Sequence, residues 1–113
     1  MKPTERYNFP VAPSRIEFLE PWEEFRTGQA DAFLLELSRE VSPEHPLSDL
    51  QLDPLEHSGA ADDALFATQD GRVVEVHLTW SGRAEQPPWP KHRFYSNVGE
   101  WIEQAMLPEH EGY

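Results

Sequence analysis

The sequence predicts an α+β domain: a short antiparallel sheet of three or more strands, packed on one face by two amphipathic helices and preceded by an extended N-terminal arm. Three observations carry this reading. Apolar residues recur at helical spacing once in each half of the chain, an Asp-Gly dipeptide separates two β-rich runs, and all of this fits in 113 residues, the size of one domain.

The arm, residues 1–20, contains Pro3, Pro10 and Pro13, and Pro21 follows it. Each proline removes a backbone donor and restricts the residue before it, so no regular helix runs through this stretch. Its apolar residues Tyr7, Phe9, Val11, Ile16, Phe18 and Leu19 predict that it lies across the domain and covers something such as a sheet edge. The domain proper is expected over 21–107. Pro21-Trp22-Glu23-Glu24-Phe25 reads as a first helical turn, with proline at the first position and acids at the positive end of the helix dipole, and Gly28 stops or kinks it. Ala30, Phe33, Leu34, Leu37 and Val41 then form one face of an amphipathic helix, with Asp31, Glu36 and Glu40 elsewhere on it, and Pro43 ends it. Residues 42–63 read as a connection with a short strand near Leu50 to Leu55.

Asp70-Gly71 lies between ALFATQ and RVVEVHLTW, a strong hairpin signal. A two-residue turn would pair Ala67 with Val74 and Leu65 with Val76. Leu65, Ala67, Val74, Val76, Leu78 and Trp80 would then face the core, and Phe66, Val73, Glu75, His77 and Thr79 would face outward. Ser81-Gly82 ends the strand, Pro87, Pro88 and Pro90 stiffen the loop that follows, and HRFYS returns as a third strand. Asn97 and Glu100 have capping spacing for a last helix carrying Val98, Trp101, Ile102, Ala105 and Met106 on one face. Pro108 is expected to stop it and leave 108–113 as a flexible tail.

The charge narrows the function. There are 21 acids against 9 bases, a net charge of -12, with no Lys/Arg cluster to interrupt it. Such a field repels phosphate backbones and anionic lipid heads, so neither nucleic acid nor membrane is an expected partner; the acids read first as a solubility charge and second as the complement of a basic protein partner. The absence of cysteine removes disulfides and thiolate chemistry and fits a reducing cytoplasm. No secretory leader is read in the first residues and no run of about 18 apolar residues occurs. A cytoplasmic monomer or weak homodimer is expected.

No motif for catalysis stands out. The five histidines lack the spacing of a zinc site, the glycines match neither phosphate-cradling pattern, and no nucleophile elbow surrounds Ser81, so no metal, no cofactor and no catalytic residue is expected. The candidate binding surface comprises Glu75, His77, Arg83, Glu85, Trp89 and His92. Glu75 and His77 align on the outward hairpin stripe, where ordinary cross-strand pairing explains them equally well. Arg83 and Glu85 either orient a ligand or form a surface ion pair. Trp89, between two prolines, either plugs the edge of the core or stands out as a binding anchor.

VVEVHLTWSGRAEQPPWP, preceded by ALFATQDG and followed by Phe94, Tyr95 and Trp101, resembles a group of small uncharacterised bacterial proteins. Their shared pattern is an acidic-x-x-hydrophobic-Phe run, a D-G turn and V-H-L-T-W-S-G-x-x-E-x-x-P. The likeness spans about residues 62–102 and brings no activity with it. Two functions are therefore weighed: a non-enzymatic interaction module of adaptor or immunity type, and a small-molecule site or small enzyme built around His77 and the 83–91 loop.

Overall fold

The computed structural model describes residues 17–112, so the expected arm, apart from its last residues, lies outside them. Five strands, β1 (Trp22–Glu23), β2 (Leu52–Ser58), β3 (Asp63–Thr68), β4 (Val73–His77) and β5 (Lys91–Tyr95), form one sheet in chain order, every neighbour antiparallel. Helix α1 (Gln29–Glu40) lies between β1 and β2. Helix α2 runs continuously from an α-turn (Val98–Trp101) through a π-helical stretch (Ile102–Met106) to a last segment (Leu107–Gly112). The class is α+β, as expected.

The helices, however, divide between the two faces instead of sharing one. On one face Leu65, Ala67, Val73 and Tyr95 pack with Trp22 and with Trp101, Ala105 and Met106 of α2. On the other, Ala64, Phe66, Val74, Val76 and Leu78 pack with Phe33 and Leu37 of α1 and with Leu47. Side chains alternate along a strand, so burial on both faces turns ALFA and VV into continuous apolar runs.

The hairpin register also differs from the expected one. Ala67 pairs with Val73 and Leu65 with Glu75, because the turn holds three residues and Gly71 closes it at φ 95°. Thr68 N–H bonds Arg72 C=O and Gly71 N–H bonds Thr68 C=O, the arrangement of a turn ending in a left-handed residue. An Asp-Gly dipeptide suits both turn lengths. The extra residue shifts one strand by a single position, and a one-residue shift exchanges which side chains share a face. Val73, Glu75 and His77 accordingly stand with Leu65 and Ala67 on the α2 side, and Phe66 stands with Val74 and Val76 on the α1 side.

Three further expectations are corrected. Trp22 and Glu23 form an edge strand against Ser58 and His57, not a helical turn. Trp22 is fully buried and meets Trp101 edge-on at 5.0 Å, an aromatic contact a helical turn there would forgo. Trp80 leaves the strand, which ends at His77, and is 41% exposed instead of facing the core. Pro108 does not stop α2, which runs on to Gly112. The preceding π-turn bonds Leu107 N–H to Ile102 C=O, and Pro108 then falls at the start of a new helical segment, where a missing donor costs little. Asn97 caps this helix as the spacing predicted, accepting from Glu100 N–H at 2.8 Å while Glu100 accepts from Ser96 N–H.

Candidate functional site

Two structures emerge around the VHLTWSG stretch, a locked loop and a polar concavity. The loop follows β4 and wraps the C-terminal end of α1. The buried stripe of α1 is Phe33, Glu36, Leu37 and Glu40, so two acids expected elsewhere on the helix point inward. Their carboxylates are used by the loop: Glu40 accepts from Thr79 N–H at 2.9 Å and from Trp80 N–H at 2.8 Å, and Glu36 accepts from Gly82 N–H at 2.9 Å. The Glu40 carbonyl accepts from Glu85 N–H, which satisfies one of the free carbonyls at the helix end. Burial, and then a hydrogen bond with the Glu36 carboxyl, raise Glu40 above the ordinary carboxylate range.

Capture by Glu40 has a conformational cost. Trp80 sits at φ 57°, a left-handed backbone that non-glycine residues rarely adopt, while Gly82 takes φ 76° at no such cost. The loop closes with Thr79 Oγ1 donating to Glu85 at 2.9 Å; the hydroxyls of Ser81 and Thr79 hold the Glu85 carboxyl below its usual range. At the far end buried His45 anchors the chain. Its Nδ1 accepts from Leu47 N–H, so Nε2 is the nitrogen that donates to the Pro90 carbonyl at 3.0 Å. Between these anchors two tryptophans stand out, Trp80 edge-on to Phe33 and Trp89, 42% exposed, with the Lys91 ammonium 5.1 Å from its ring. Trp89 thus takes the exposed of its two expected positions.

The concavity, of about 280 Å³, lies on the α2 side of the sheet and is lined by Asp63, Glu75, His77, Lys91, His92, Arg93 and Tyr95. Register builds it: His77 pairs with both Asp63 and Lys91, and Glu75 pairs with Arg93. His77 Nδ1 lies 2.7 Å from Asp63 Oδ1. Glu75 accepts from the Trp101 indole N–H at 2.9 Å. Burial pushes Glu75 up to about 7; the Trp101 hydrogen bond opposes this, and the charges of Asp63 and Glu109 add to it. Burial, and then the neighbouring Glu75, raise Tyr95 as well, and the Arg93 guanidinium lies 5.1 Å from its ring.

The six expected surface residues therefore separate. Glu75 and His77 line the concavity, Glu85 and Arg83 belong to the loop, and Glu85 lines a different recess with Ser42 and Glu44. His92 pairs with Val76, and its ring lies 4.9 Å from that of His45 on the α1 side, although the residue reaches the concavity between Lys91 and Arg93. Asp63, Lys91, Arg93 and Tyr95 were missed. The alternation of KHRFY places Lys91, Arg93 and Tyr95 on one face of β5, and Asp63 becomes visible only with the three-residue turn. A third recess, about 400 Å³ beside α1, is lined by Leu34, Leu37, Leu47, Leu50 and Leu52 among others and holds no charged group.

Among the described residues no cluster of three or more His, Asp or Glu is arranged to hold a metal ion, and no helix is long and apolar enough to cross a membrane. No family model, curated protein or solved structure matches the chain.

Proposed function

We propose that the protein is a non-enzymatic interaction module of the adaptor or immunity type, which presents the 78–90 loop to a basic partner protein. The observation that carries this reading is the pair of exposed tryptophans on a loop held by buried carboxylates. Large aromatics on a pre-ordered backbone suit binding because little conformational entropy remains to be lost when a partner docks. The net charge of -12 supplies long-range attraction for a partner of opposite sign and repels nucleic acid and anionic membranes. A chain without cysteine suits the cytoplasm, where it would act as a monomer or weak homodimer.

The test is capture from extract of the source cell by the wild type and by a Trp80→Ala, Trp89→Ala double variant whose fold is first verified. The wild type is expected to retain a basic protein that is released as salt rises to about 0.5 M, where charge attraction is screened within a few ångströms. The double variant is expected to lose it. Retention of the same proteins by both chains, or of none by the wild type at low salt, refutes the reading.

A further inference from the structure

The concavity on the α2 side of the sheet meets the loop at Lys91, beside Trp89, and has the features of a small-molecule site. Nine Lys and Arg serve a chain with 21 acids, yet two of the nine, Lys91 and Arg93, stand together on one face of β5. Among the described residues neither forms an ion pair with a carboxylate; the only pairs are His57 with Glu23, Arg72 with Asp70 and His77 with Asp63. Each cation faces a proton-carrying group directly across the β4–β5 ladder, Lys91 against His77 and Arg93 against Glu75. Cross-strand neighbours lie about 5 Å apart at Cβ, and alternate residues of a strand about 7 Å apart, so the four side chains bound a floor of small-molecule size.

His77 is oriented for a ligand. Its Nδ1 meets Asp63 at 2.7 Å, and a carboxylate acceptor holds a proton on that nitrogen, so Nε2 is the ring nitrogen left to hydrogen-bond a ligand, on a residue lining the concavity. We propose that this concavity binds a small hydroxy acid, its carboxylate between Lys91 and Arg93 and its hydroxyl hydrogen-bonded to His77 Nε2. The volume of about 280 Å³ suits a ligand of a few carbons, smaller than the drug-sized molecules that fill larger pockets. Two cations match a carboxylate in both charge and geometry. Of the two acids present, Asp63 is engaged by His77, and Glu75, held up to about 7 by burial, is neutral in mildly acidic solution and does not repel the ligand. The site borders the loop surface at Lys91, whose ammonium lies near the Trp89 ring, while Trp80 packs on Phe33 away from it.

The experiment is an NMR titration of the full chain at about pH 6 with glycolate, acetate, inorganic phosphate and chloride at constant ionic strength, following the His77 ring and the amides of β4 and β5. Glycolate is expected to give saturable shifts there, with an affinity about fivefold above that of acetate, the size of one neutral hydrogen bond. Lys91→Gln and Arg93→Gln are each expected to weaken glycolate about tenfold, as loss of a charge-assisted contact does. His77→Ala is expected to bring glycolate down to acetate, and Trp80→Ala, on the other face, to leave the glycolate affinity within about twofold. If Arg93→Gln fails to fold, Lys91→Gln carries the charge test alone. No saturable shift at about 20 mM glycolate, equal affinity for glycolate and acetate in the wild type, tighter binding of phosphate, or undiminished binding to both cation variants would each overturn the proposal.

Discussion

Replacing Glu56 with Gln exchanges a buried carboxyl for a neutral group of the same shape. Glu56 follows a bulge in β2, where Pro54 pairs with Phe66 and Glu56 with Leu65, so that Leu55 is the extra residue. The side chain is fully buried on the α2 side, and neither carboxyl oxygen has a hydrogen-bond partner among the described residues. Desolvation, and then the charge of Glu24, push it up from 4.5 to about 8. The sign follows from proton linkage. The unfolded chain ionises above 4.5 while the fold keeps the proton until about 8, so the unfolded state gains and stability falls as pH rises through that window. At roughly 1.36 kcal/mol per pH unit, the penalty is under about 1 kcal/mol at pH 5 and about 3 kcal/mol at pH 7. Glutamine has the same neutral burial cost and no ionisation, so the difference between the two proteins isolates this penalty from every other titrating group. Urea unfolding followed by tryptophan fluorescence at pH 5, 6, 7 and 8 measures it. The advantage of Glu56→Gln over wild type is expected to grow by about 2 to 3 kcal/mol between pH 5 and 7 and to level off near 8. A constant difference across that range would mean that Glu56 is charged in the fold, and the reasoning would fail.

Removing the Glu40 carboxylate by Glu40→Ala deprives the Thr79 and Trp80 amides of their acceptor; a loss of about 2 to 4 kcal/mol and faster hydrogen exchange at those two amides are expected, and unchanged exchange would count against the lock. Trp80→Gly relieves a left-handed backbone worth about 1 kcal/mol and forgoes an aromatic contact with Phe33 worth about as much, so the urea midpoint should hardly move; a loss above about 2 kcal/mol would make Trp80 a core residue after all. The Trp101 indole N–H signal should titrate near pH 7 with the carboxyl it bonds and stay flat in Glu75→Gln. Because that hydrogen bond lowers the Glu75 value, Trp101→Phe should move the Glu75 carbon-13 titration upward, and a downward move would refute the assignment of causes.

The elements legible in the sequence are those whose residues act locally. Asn97 and Glu100 declare the start of α2, and the apolar spacing of Phe33 and Leu37 declares α1. What the pattern concealed depended on partners far along the chain. Glu36 and Glu40 complete an i, i+3, i+4, i+7 stripe with Phe33 and Leu37, but reading two acids as buried requires the loop amides that occupy them, some 40 residues later. Likewise ALFA and VV, apolar at every position, leave the register to the turn, and the Asp-Gly turn permits two. The position of Asp63 opposite His77 follows from that one choice, and with it the polar concavity. Trp22 was misread because Pro21 and the acids after it favour a helix start locally, whereas burial against Trp101 is decided across the whole chain.

Strand order equal to chain order separates the contacts of this fold into two kinds. Every sheet pairing joins consecutive strands, so it closes only a short or moderate stretch of chain. Residues 20–22 meet α2 differently: the Trp22 indole donates to Glu109, 87 residues away, and His110 Nδ1 meets the Glu20 carbonyl, 90 residues away. Closing a segment that long costs about 2 kcal/mol more chain entropy than closing one of ten residues. The sheet is thus a ladder between strands near in the chain, and the contacts of Glu20 and Trp22 with α2 are a clasp across it. Trp101, on the same helix, donates to Glu75 and covers it. The protonation of Glu75 is in this way tied to the helix that the clasp holds.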